Sequence, residues 1–126
     1  NADGTGMKQI TNYPEDNVSA HDHGYKAGAP KWHPTDNFIT YISKQNNRYN
    51  IYAATPDGNK QWKLTKNTAN EGWHDWSSDG EWLVYDSAND SGSQYHIMLM
   101  NWKTKELKQI TDTTYKYQQA PVFVEN

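Results

Sequence analysis

The chain has 126 residues, a formal net charge of -3, no cysteine and a mean hydropathy of -1.12. No basic run is present to follow a phosphate backbone, no stretch approaches the length of an apolar membrane helix, and disulfide and thiolate chemistry are excluded. The 34% hydrophobic share is low, yet it includes 6 Trp and 9 Tyr against 2 Phe. Large rings of this kind suit pleated, half-exposed sheets and argue against disorder. No signal peptide is legible, and a first residue Asn1 in place of Met suggests processing or trimming.

Residues 1–12 read as one strand that follows an Asp3-Gly4 turn and ends in Lys8-Gln9-Ile10-Thr11. A long loop follows, between Tyr13 and Ala29. Residues 29–66 read as four short strands: one around Ala29-Pro30-Lys31-Trp32, a second from Phe38 to Ile42, a third at Tyr49-Asn50-Ile51-Tyr52, and a fourth at Trp62-Lys63-Leu64-Thr65. Thr35-Asp36-Asn37 and Asp57-Gly58 supply turns, and Arg48 falls between the second and third strands. Residues 73–112 repeat the pattern with Trp76, an Asp79-Gly80 turn, Trp82 to Tyr85, Tyr95-His96-Ile97-Met98 and Lys108-Gln109-Ile110-Thr111. Residues 119–126 open a third copy, with Ala120-Pro121-Val122-Phe123 matching Ala29-Pro30-Lys31-Trp32. Helical periodicity is missing throughout.

Trp32 and Trp76 lie 44 positions apart, and a period of that size with four strands per unit is the mark of a β-propeller. Trp76-Ser77-Ser78-Asp79-Gly80-Glu81-Trp82-Leu83-Val84-Tyr85, then Ile51-Tyr52-Ala53-Ala54-Thr55-Pro56-Asp57-Gly58, then Trp62-Lys63-Leu64-Thr65, resemble the TolB-like, WD40-like (PD40-type) propeller repeat. The resemblance covers nearly the whole chain. At the first copy Asp36 stands where the turn glycine is expected, which predicts a looser turn there. The expected fold is all-β: two complete blades of four antiparallel strands, plus a lone N-terminal outer strand and a lone C-terminal inner strand. Ten strands are too few to close a wheel. The preferred reading is therefore a partial propeller belonging to a longer protein; the others are closure by further copies of the chain and an open stack.

Propeller ligands gather at loops joining the outer strand of one blade to the inner strand of the next. The first such loop spans 21 positions, from Thr11 to Trp32, against 11 and 12 in the next two, an insertion of about ten residues. It carries His21, Asp22, His23 and Tyr25. Trp73, His74 and Asp75 occupy the second loop, and Tyr117 and Gln118 the third. These nine residues form the expected ligand-binding set. Imidazoles two positions apart on an extended chain point to one side, so His21 and His23, joined by His74 and Gln118, compose a possible site for a divalent metal ion. A surface histidine pair bonded to loop backbone is the commoner alternative, and His33 and His96 read as structural.

The TolB-like resemblance implies a module that binds a protein, peptide or carbohydrate at the channel mouth, in the periplasm or cell envelope, with no nucleic acid partner. Two alternatives stand beside it. One is a metal-dependent carbohydrate-active enzyme similar to oligogalacturonate lyase, using the His/Gln set. The other is the non-catalytic propeller of a peptidase. No full catalytic set is legible, so the reading leans away from an enzyme.

Overall fold

The computed structural model describes residues 3–11 and 26–124. Eight strands form two four-stranded antiparallel sheets. The first contains β1 (Lys26–Trp32), β2 (Ile39–Gln45), β3 (Arg48–Ala54) and β4 (Gln61–Lys63) in sequence order. The second contains β5 (Glu71–Trp76), β6 (Trp82–Ala88), β7 (Tyr95–Asn101) and β8 (Leu107–Gln109), again in sequence order. No helix occurs among the described residues, so none there is long and apolar enough to cross a membrane. These are the two expected blades. Arg48 is the first residue of β3, and the turn before it is Asn46-Asn47, both at positive φ, as a tight hairpin requires.

Of the lone outer and inner strands expected over residues 1–12 and 119–126, the described parts, 3–11 and 119–124, carry no sheet ladder of their own. An outer strand pairs with the third strand of its blade, and an inner strand with the second. Neither partner lies among the described residues.

The two sheets stack face to face. Side chains alternate along a strand, so Ile51 and Ala53 of β3 share one face, as do Leu83 and Tyr85 of β6. With Phe38, Leu64, Trp76 and Met100 they form one buried cluster. Aromatic edges tighten it: the Phe38 and Trp76 ring centroids are 6.0 Å apart, and those of Phe38 and Trp102 are 5.2 Å apart.

The Asp-Gly turns share one design. Asp79 Oδ1 accepts from the Ser77 hydroxyl at 2.6 Å and from Glu81 N at 2.9 Å. Asp57 Oδ1 takes the same bonds from the Thr55 hydroxyl and Asn59 N. The Ser77 hydroxyl first, then the backbone amide, holds the Asp79 carboxyl below its ordinary value.

The first-copy turn lacks the glycine but is not loose. His33 Nδ1 accepts from Asp36 N at 2.9 Å, so Nε2 carries the hydrogen and donates to Gly80 O at 2.8 Å. Trp102 Nε1 donates to the same carbonyl at 2.8 Å. His33 is thus structural, and it ties one blade's turn to the next.

Gly80 has φ +72, and a Cβ there would stand 2.6 Å from His33 Cε1. We expect Gly80→Ala to cost about 2 kcal/mol, from left-handed backbone strain and displacement of the imidazole. Urea unfolding checks this. A cost below about 0.5 kcal/mol would mean the two turns do not meet.

Candidate functional site

The residues expected to form a ligand site fall into three places. His21, Asp22, His23 and Tyr25 lie outside the described residues. Trp73, His74 and Asp75, expected in a loop, belong to β5, whose ladder to β6 shifts register between Glu71 and His74. That bulge lets the inner strand begin before Trp76 and carries His74 into the seam between the blades. Tyr117 and Gln118 lie beyond the second blade. The Tyr117 ring sits 6.4 Å from that of Tyr95, and Gln118 Nε2 donates to the Asp112 and Tyr115 carbonyls.

His74 is 1% exposed. Its Nε2 meets the Thr40 hydroxyl at 2.8 Å, and Trp76 Nε1 donates to that same hydroxyl at 3.0 Å. Burial first, and the Lys31 ammonium second, push its pKa down to about 4; Asp75 opposes them. His74 Nδ1 is buried and has no hydrogen-bond partner among the described residues. The side chain is therefore built into blade packing. Among the described residues no group of three acidic or imidazole side chains is placed to hold a metal ion.

Glu71, which sequence reasoning passed over, is also 1% exposed. Its Oε2 accepts from Ile51 N at 3.2 Å, Asn50 Nδ2 at 3.1 Å and the Thr65 hydroxyl. Strand β4 ends before Ile51, which leaves that ladder donor open, and the carboxylate of the next blade fills the gap. Burial outweighs these bonds and raises the Glu71 pKa.

Asp75 lies on the opposite face of β5 from His74 and bonds to both sides. Its Oδ1 pairs with Lys31 Nζ at 3.1 Å, and its Oδ2 accepts from Phe123 N at 3.0 Å. Asp86 Oδ2 likewise accepts from Ala120 N at 3.0 Å. Two carboxylates of the second blade thus hold residues 120–123. Trp73, 46% exposed, stays open to solvent.

One polar concavity among the described residues lies at the loop rim. A groove of roughly 410 Å³ runs between the β2–β3 and β6–β7 hairpins, lined by Asn46, Asn47, Arg48, Asn70, Asn89 and Asp90 among others. Its walls are held by backbone. Asn70 Oδ1 accepts from Tyr49 N at 2.9 Å while Asn70 O accepts from Ala88 N at 2.8 Å, so one residue joins both blades. Asn89 Oδ1 accepts from Ser93 N at 2.9 Å and Gln94 N at 3.2 Å. Arg48 Nη1 donates to the Thr68 carbonyl, which fixes the guanidinium at the groove's edge.

No protein-family model matches the sequence, and no curated protein matches it. Solved structures do. TolB from Acinetobacter baumannii is similar at 22% identity and a TM-score of 0.61, over 70% of this chain and 22% of that one. A TolB from Agrobacterium tumefaciens is similar at 25% identity and 0.56, over 71% and 33%. Oligogalacturonate lyase from Vibrio parahaemolyticus is similar at 18% identity and 0.58, over 89% and 28%. The chain spans a third or less of the length of each.

Proposed function

We propose that this chain, a run of TolB-like β-propeller blades, is a binding module whose loop-rim groove docks a segment of a partner polypeptide. The observation that carries this reading is the groove itself. Its polar side chains are four amides, one guanidinium, one carboxylate and one hydroxyl, carried on backbone-braced hairpins. Amides both donate and accept, which matches the alternating N–H and C=O groups of an extended peptide. A rigid rim also lowers the ordering cost of binding. The likeness to TolB propellers supports a place in the bacterial envelope and a role within a larger wheel. Burial of His74 in the seam weighs against the His/Gln metal set, and with it against the lyase-like alternative.

Titration of the isotope-labelled chain with a library of extended peptides, and separately with neutral oligosaccharides, tests the reading. Peptides are expected to shift amide signals of residues 46–48, 70 and 89–92. Arg48→Ala is expected to weaken binding by about tenfold, the loss of one charge-assisted hydrogen bond. Oligosaccharide shifts at the same residues with none from peptides would replace the peptide reading by a glycan one. Shifts confined to Trp73 and Tyr117 would overturn the groove.

A further inference from the structure

The net charge of -3 hides a local imbalance. Residues 63–66 and 103–108 hold five of the 12 basic side chains, Lys63, Lys66, Lys103, Lys105 and Lys108, against one acid, Glu106, a local net of +4. The two stretches are remote in sequence, and the fold brings them together. Lys105 Nζ donates to Leu64 O of the first blade at 3.4 Å. Lys63 Nζ donates to Asn67 O at 2.7 Å, and Lys103 and Lys105 each set Nζ 5.8 Å from the Trp102 ring centroid. All five lysines are exposed, and none forms an ion pair among the described residues.

Lysines on edge strands commonly guard against edge pairing, and Lys63 of β4 and Lys108 of β8 fit that role. Lys66 and Lys105 do not, because both lie outside the ladders. Burial first, and the Lys66 ammonium second, hold the Lys105 pKa below its ordinary value, so the fold keeps two like charges close. The hairpin tip fixes one of them. Asn101 Oδ1 accepts from Lys103 N and Thr104 N at 3.1 Å each, and Lys105 takes φ +63, a left-handed position that favours glycine. The corresponding β3–β4 turn instead puts Gly58 at positive φ, with an acid, Asp57, beside it.

We propose that the β7–β8 hairpin and the adjoining end of the first blade form a peripheral docking surface for an anionic lipid bilayer, seated through Lys66, Lys103 and Lys105 and flanked by Lys63 and Lys108. The surface is a hairpin tip set beside an outer strand, so it projects. Lipid headgroups diffuse laterally and gather under such a cluster of point charges, each lysine adding to the attraction. Leu107, 52% exposed between Glu106 and Lys108, meets the headgroup level as an apolar contact. The rest of the chain is acidic, which turns the hairpin first toward a negative surface.

An acidic polypeptide fits this surface less well. An extended peptide is held by fixed donors and acceptors that match its backbone. Here the donors are ammonium groups on flexible stems, and the tip's amides at Lys103, Thr104 and Lys105 are already bonded to Asn101. The surface is also separate from the rim groove: β7 has that groove at its Tyr95 end and this hairpin at its Asn101 end.

Flotation of the chain with vesicles of phosphatidylglycerol and phosphatidylcholine in equal parts, at low ionic strength, tests the proposal. Binding is expected there and not to phosphatidylcholine alone, and it should weaken as salt is raised. Lys66→Gln combined with Lys105→Gln should weaken it by about 30-fold, whereas Lys26→Gln combined with Lys44→Gln removes equal charge elsewhere and should weaken it far less. Lys103→Gln combined with Lys108→Gln gives a second reading should the first pair fail to fold. Spin labels attached to the headgroups should broaden the amide signals of residues 103–108 before those of residues 46–48. Absence of binding to the anionic vesicles, or equal losses from the hairpin and control pairs, overturns the proposal. Poly-glutamate or inorganic phosphate that shifts residues 103–108 when the vesicles do not overturns it in favour of a peptide or free-anion site.

Discussion

Trp76→Ala is expected to lower the unfolding free energy by about 3–5 kcal/mol, the usual cost of removing a buried tryptophan from a core. The side chain is buried between the blades. Its ring meets His33 at 4.5 Å and Trp102 at 6.2 Å, and its N–H serves the Thr40 hydroxyl. Truncation would open a cavity and strip a donor from a hydroxyl that also faces His74. Trp76→Phe keeps most of the volume and loses the donor, so about 1–2 kcal/mol is expected there. Urea unfolding of the three proteins checks both values. Equal losses for Ala and Phe would mean that packing contributes little at this position.

Acidification is expected to destabilise the chain by about 3 kcal/mol through His74 alone. Its ordinary value near 6.5 falls to about 4 in the fold. Between those values the unfolded chain binds a proton that the folded chain refuses, so stability falls as the pH drops through that window and levels off below it. The groups around His74 are Thr40, Lys31, Asp75 and its ladder partner Tyr85, and Nδ1 has no acceptor for a second hydrogen. Glu71 acts in the opposite sense. Its raised pKa makes its contribution fully present below the ordinary carboxylate value, and lost as the pH rises through the folded value. His74→Gln should flatten the acid limb, while Glu71→Gln should flatten the limb above it. Stability curves of wild type and His74→Gln that stay parallel from pH 6.5 to pH 4 would contradict this assignment.

The blades were legible in the sequence because their markers are local. Asp57-Gly58 and Asp79-Gly80 announce turns through backbone chemistry, and Trp32, Trp76 and the Ile-Thr endings recur in fixed order. Asn46-Asn47, which defines the β2–β3 hairpin, was passed over because neither residue is glycine. The seam was not legible. His74 and Glu71 find their partners 34 and 20 positions away, at Thr40 and Ile51, on another blade. No local pattern distinguishes a histidine buried in a seam from a loop ligand. The bulge within β5 also broke the alternation that would have marked the segment as a strand. The rim groove escaped for a related reason: it is assembled from two hairpins and a crossover, and none of its asparagines is unusual alone.

Two four-stranded blades stack through a seam in which the Thr40 hydroxyl receives the Trp76 indole N–H. A double-mutant cycle with Thr40→Val and Trp76→Phe measures that contact directly. A coupling energy of about 1 kcal/mol is predicted, because each single change already breaks the bond and the second then costs less. Strict additivity of the two changes would contradict the stacking described here.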